Sequence, residues 1–132
     1  IAQMLKEKGV SLPSAVHPGA RIAKGVSIGE GAVIMAGAVL NSDCSVAASC
    51  IVNTGATVDH DCKTEEGVHI GPGATLCGSV SVGKISFIGA GSVVIENISI
   101  GENCMIGAGS VIVKDVPANS KIIGKNTYPN NI

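Results

Sequence analysis

Aromatic side chains are nearly missing from this chain: two per cent of its 132 residues, with no tryptophan, one tyrosine and one phenylalanine. Yet 45% of the residues are hydrophobic, and an ordinary globule that apolar would fill part of its core with rings. The interior expected here is narrow, packed with Val, Ile, Leu and smaller groups. Excess positive charge is missing too: nine Lys and Arg against ten Asp and Glu leave a net charge of −1. Without a basic stripe, nucleic acid is excluded as the expected partner. No apolar run approaches the roughly 20 residues of a membrane span, and no secretory signal is legible, so no membrane association is expected. The five cysteines are an odd number, which argues against a disulfide framework and for a reducing, cytoplasmic compartment. The length is that of one domain.

What the chain does have is a period. From Val16 to Pro117 it repeats every six residues without insertion, in seventeen hexads opening on Val16, Ile22, Ile28 and onward to Ile112. Of the opening residues only Thr64 is not aliphatic. Such a repeat predicts a β-helix, each hexad contributing one short strand and a corner. The fourth positions, from Gly19 to Asp115, are nearly all Gly, Asn, Asp or Ser, with Ile85 the exception. Glycine, Asn and Asp tolerate a positive φ, so these positions are the expected corners. Cys44, Cys50, Cys62 and Cys104 occupy the fifth, inward slot, where a thiol serves as a small core hydrophobe. Residues 1–15 are expected to be a linker segment ahead of the repeat, including a short helix over Ile1–Lys8 that stops at Gly9. Residues 16–117 form the β-helix and 118–132 a C-terminal cap or tail.

Three hexads close a triangular coil, so residues eighteen apart stack roughly 4.8 Å from one another, the spacing of neighbouring strands. Sorting the sixth, outward positions by column separates the faces. One column reads Ser27, Ser45, Lys63, Ser81, Ser99, Pro117, a wet surface. Another reads Val33, Ile51, His69, Phe87, Met105, and an outward apolar ladder of this kind is expected to meet another subunit, the alternative being a face covered by residues missing from this chain. A trimer suits a three-sided prism.

The densest polar chemistry lies in Asn53 to Cys62. His60 is the only histidine at a third, corner position, and Gly78, one coil further on, is the only glycine among all third positions. The imidazole therefore has open space and a backbone N–H beside it. A general base next to an amide donor is what acyl transfer requires. Asp61 either orients His60 or serves simply as a corner residue. His69 lies one and a half hexads on, in the face opposite His60's corner. The two imidazoles can meet only through a neighbouring subunit. His17, about two and a half coils away, reads as structural. Cys77 has nothing basic in its column and is not expected to act as a nucleophile.

These hexads, the run Val58-Asp59-His60-Asp61-Cys62 and the segment His69-Ile70-Gly71-Pro72-Gly73-Ala74 resemble the left-handed β-helix acyltransferases. The specific likeness is to the bacterial branch that acetylates sialic acids or nucleotide-linked amino sugars in surface-glycan synthesis. The resemblance covers Ser14 to about Gly124. It implies an all-β, single-stranded, left-handed parallel β-helix working as an acetyl-coenzyme A-dependent sugar O- or N-acetyltransferase. In that light His60 is the general base and Asp61 its acidic partner. The resemblance further places His69 against acetyl-coenzyme A and the Gly78 amide on the thioester carbonyl. Ala90 and Ala108 lie along the pantetheine and adenine ends. It implies a homotrimer with active sites between subunits, a sugar acceptor and no metal. Thr64-Glu65, Lys84-Ile85 and Gly124-Lys125-Asn126 depart from the family pattern. Family members usually carry an N-terminal α/β domain, of which Ile1 to Leu12 resembles the last part. Two rivals are weighed against this reading. One is a zinc enzyme like the β-helical carbonic anhydrases, for which His17 lies too far from His60 and His69. The other is a non-catalytic solenoid scaffold.

Overall fold

The computed structural model describes residues 1–123; the expected departure at Gly124-Lys125-Asn126 and the rest of the tail lie outside them. A single-turn-and-a-half helix, α1 (Ala2–Glu7), precedes eighteen two-residue strands, from β1 (Ala15–Val16) to β18 (Lys121–Ile122) in chain order. Every paired strand is parallel to its neighbour, three strands away except at the last pair, where β18 lies beside the strand two before it, giving sheets of seven, six and five strands. The result is the expected left-handed β-helix, an all-β prism with one short helix at its start.

The register follows from the alternation of side chains along a strand. First-position residues such as Ile34, Leu40, Ile70, Leu76, Ile88, Ile106 and Ile112 point inward and are at most 1% exposed. Sixth-position residues point outward, so His69 stands directly between Ile51 and Phe87, and Phe87 pairs with Met105. The serine-rich column forms the five-stranded sheet. Between the strands the chain turns through left-handed residues, including Gly55, Asp61, Gly73, Ser79 and Asn97.

The fifth slot does more than fill space. Cys50 Sγ–H donates to Glu65 O at 3.0 Å and Cys44 Sγ–H to Asp59 O at 2.8 Å, while Ser86 and Ser92 hydroxyls donate to the carbonyls of Gly101 and Gly107. Each satisfies a corner carbonyl fifteen residues on, which accounts for Cys and Ser in a slot otherwise filled by Ala and Val. Thr64, the one opener that is not aliphatic, is buried with its hydroxyl 3.5 Å from Cys50 Sγ.

Two expectations fail at the ends of the prism. Gly19 is not in the left-handed region, and neither is Asp115. The last coil is two residues short, pairing Ile100 with Val116 and Met105 with Lys121. Asp115 Oδ1 accepts the Ser99 N–H at 2.8 Å in place of a backbone carbonyl, and Pro117 brings no N–H to continue the ladder. Pro117 therefore does not extend the serine column. Stacking instead continues to Ile122, inside the segment expected to be a cap, and the left-handed corner moves to Asn119.

Ile85 does adopt the left-handed corner, at φ 52°, with 64% of its surface exposed. A side chain with a Cβ costs roughly 1–2 kcal/mol in that region, and branching at Cβ adds to it. Asn97 and Asn103 fill equivalent corners. Ile85→Asn is therefore expected to stabilise the fold by about 1 kcal/mol, raising Tm by several degrees in a thermal melt. An unchanged or lowered Tm would contradict the strain.

Candidate active site

Two stacked corners build the site. His60 follows β8 (Thr57–Val58), and Gly78 follows β11 (Thr75–Leu76), the strand paired with β8 in register. Asp61 takes the left-handed corner at φ 60°, which turns its carboxylate back on the preceding ring. His60 Nδ1–H donates to Asp61 Oδ2 at 2.8 Å. Since Nδ1 carries the proton in that bond, Nε2 of the neutral ring keeps its lone pair.

That Nε2 is the atom facing Gly78. A Cβ placed on Gly78 would lie 2.5 Å from His60 Nε2 and 2.6 Å from Cε1, so only glycine leaves the ring where it is. Unlike the corner glycines, Gly78 does not occupy the left-handed region; it is required here for space, not for its backbone freedom. The Gly78 N–H makes no hydrogen bond among the described residues.

The electrostatics favour a strong base. The Asp61 hydrogen bond above all, with the charges of Asp59 and Asp61, raises the His60 pKa above the ordinary imidazole value, although the side chain remains 59% exposed. Asp59 Oδ1 accepts the His60 N–H at 2.8 Å and the Asn41 amide at 2.9 Å, and these bonds hold its carboxyl below the usual carboxylate range. Asn41 and Asp59 were not singled out from the sequence. The signal was there, because they are eighteen residues apart and so must stack.

His69 is elsewhere. It sits on the apolar seven-stranded face, within β10 (His69–Ile70), its ring edge-on to Phe87 with centroids 5.1 Å apart. Asn53 Nδ2 donates to His69 Nε2 at 3.0 Å, and partial burial lowers its pKa. This ring and His60 belong to different sides of the prism, so one chain does not bring them together. Ala90 and Ala108 lie on a third line, the corner after that same face, exposed and successive in their column. Gly89 permits this stacking: a Cβ on it would meet Ala108 N at 2.5 Å. His17 Nδ1 accepts the Gly19 N–H at 2.9 Å, a turn-closing contact. Among the described residues, no three His, Cys, Asp or Glu side chains are grouped to hold a metal ion, and no helix is long and apolar enough to cross a membrane.

Residues 79–114 match the bacterial transferase hexapeptide family (six repeats), and residues 19–42 match the hexapeptide repeat of succinyl-transferase. No protein of curated function matches the sequence. Among solved structures, the fold superposes on a histidine-to-alanine mutant of GDP-perosamine N-acetyl transferase from Caulobacter crescentus, in complex with CoA and GDP-perosamine. The TM-score is 0.91 at 41% identity, over 93% of this chain and 59% of that one. The acetyltransferase domain of PglB from Neisseria gonorrhoeae, in complex with acetyl coenzyme A, gives 0.91 at 39% identity, over 93% and 60%. WeeI from Acinetobacter baumannii gives 0.88 at 27% identity over the same shares. The chain thus spans about three-fifths of the length of these proteins.

Proposed function

Because the chain belongs to the hexapeptide-repeat, left-handed β-helix group of acyltransferases, we propose that it transfers an acetyl group from acetyl-coenzyme A to a sugar. The favoured acceptor is the amine of a nucleotide-linked amino sugar. A similar structure holding CoA with GDP-perosamine supports this acceptor, and another holding acetyl coenzyme A supports the donor.

The observation that carries the reading is the close stacking of the His60 ring, at Nε2 and Cε1, on the side-chain-free Gly78. The acceptor nitrogen attacks the thioester carbonyl carbon, and His60 Nε2 takes its proton as the new C–N bond forms. Asp61 stabilises the imidazolium that results. Charge developing on the carbonyl oxygen is met by the Gly78 N–H, a donor fixed before the reaction begins. The carbonyl then re-forms, the C–S bond breaks, and His60 returns the proton to the departing thiolate. No acyl-enzyme is required. Cys77, beside the site, is an unsuitable nucleophile because burial and the charges of Glu96 and Asp59 push its thiol up.

The second half of the site comes from a neighbour. The apolar column that includes Ile51, His69, Phe87 and Met105 suits a closed, heterologous ring of three prisms, and it would carry His69 to the His60 corner of the adjacent copy. Acetyl-coenzyme A would lie in that seam, with His69, Ala90 and Ala108 along it and no metal involved. The test is a screen of nucleotide-linked amino sugars and sialic acids with acetyl-coenzyme A, following release of free thiol. Light scattering on the same sample reports the assembly. Acceptor-dependent thiol release from a trimer is expected. A monomer, or no release with any acceptor, contradicts the reading.

A further inference from the structure

The peptide group joining Cys77 to Gly78 is held by a buried thiol, an arrangement shared with some corners and not with others. At Asn53 and Gly71 the corresponding carbonyl accepts a backbone N–H three residues on, from Ala56 and Ala74, each at 3.1 Å. No such bond reaches Cys77 among the described residues. Its carbonyl instead accepts the thiol of Cys62 at 3.0 Å. Cys62 is wholly buried, so this carbonyl is turned toward the bore. In a trans peptide the N–H lies opposite the C=O, and the described residues include no cis bond. The Gly78 N–H is therefore directed out of the corner.

At three other corners the equivalent N–H is already taken. Asn53 Oδ1 holds that of Thr54 at 2.8 Å, Asp59 Oδ1 that of His60 at 2.8 Å, and Glu65 Oε2 that of Lys84 at 3.0 Å. Cys77, standing where Asn53 and Asp59 stand, has no carboxylate or amide oxygen to offer. One outward N–H is thus left available next to His60.

We infer that Cys62 is the positioning residue of the oxyanion donor, its S–H bond fixing and polarising the peptide whose other end is the Gly78 N–H. The inference rests on the acetyltransferase reading above. Cys62 touches no substrate and acts through one peptide plane. A donor on the carbonyl strengthens the same group's N–H as a donor, as in any hydrogen-bonded chain. Burial pushes the Cys62 thiol up to about 11, so it keeps its proton throughout the neutral range. A hydroxyl fits the same slot, since Ser86 and Ser92 make the equivalent bond at 2.8 and 3.0 Å. Valine fits as well, because Val68 and Val80 fill it fully buried. Cys50 makes the same bond, to Glu65 O, at a corner without a histidine.

Those facts set the experiment on the full chain, using Cys62→Val, Cys62→Ser and Cys50→Val. Loss of a neutral hydrogen bond of this kind corresponds to a fall in kcat of about 3- to 10-fold for Cys62→Val, with KM for acetyl-coenzyme A little changed. Cys62→Ser is expected to restore kcat, and Cys50→Val to leave it intact. The amide signal of Gly78 in a proton–nitrogen NMR spectrum should shift in Cys62→Val and not in Cys50→Val, and it needs no turnover to be read. An unshifted Gly78 amide, a full kcat in Cys62→Val, or an equal loss in Cys50→Val overturns the inference. Should the unaltered chain transfer acetyl to no acceptor while the amide shifts as expected, the acetyltransferase reading is what fails, and the catalytic part of the inference goes with it.

Discussion

His60→Ala is expected to lower kcat for acetyl transfer by about 10²- to 10⁴-fold, the range a positioned general base supplies, with the fold unaffected. The side chain projects from a corner, largely exposed, and contributes nothing to the bore, so its loss leaves the stacked coils as they are. Nδ1 is engaged by Asp61, which leaves Nε2 as the nitrogen able to accept a proton. A second signature accompanies the loss of rate. The base works only when unprotonated, so activity rises with pH through the His60 pKa. Because Asp61, first by its hydrogen bond and then by its charge, raises that pKa, the rising limb stands at higher pH than an ordinary imidazole would give. Asp61→Asn removes the larger cause. Its limb is expected to move to lower pH while the plateau falls, since the imidazolium loses its counter-charge. A limb that stayed in place, or a His60→Ala variant with near-normal kcat, would remove His60 from the reaction.

Gly78→Ala is expected to be almost as damaging by a different route. The added methyl would lie 2.5 Å from His60 Nε2, inside van der Waals contact, so the ring must swing off its corner. Displacing a reacting group by about 1 Å costs on the order of 10²-fold in rate. The same methyl would also crowd the face of the amide donor. Backbone strain plays no part, since Gly78 is not in the left-handed region. The thermal melt should therefore match that of the unaltered chain while kcat collapses. Adding back a smaller imidazole surrogate distinguishes the two effects: His60→Ala with free imidazole should recover part of its activity, whereas the double variant with Gly78→Ala should not.

The core and the assignment of faces were readable because the hexad is a strict ruler. One count from Val16 puts Ile34 in the bore and His69 on the apolar face, and eighteen more residues put Phe87 beside it. The same arithmetic stacks Gly78 on His60. It failed where the ruler itself shortens, at Asp115 and Pro117, because a carboxylate can stand in for a backbone acceptor and proline cannot donate. It also took the fifth-position cysteines for plain hydrophobes. A thiol and a methyl occupy similar volumes, and only the direction of Cys62 Sγ toward Cys77 O separates them.

Periodicity alone, then, determined the coil, its inward and outward columns, and the neighbourhood of His60, since strand spacing turns sequence separation directly into distance. Which imidazole nitrogen is free, which peptide N–H is left without an acceptor, and which carbonyl holds that peptide in place were decided only by the folded backbone. Hydrogen bonds depend on angles as well as distance, and a repeat count carries no angles.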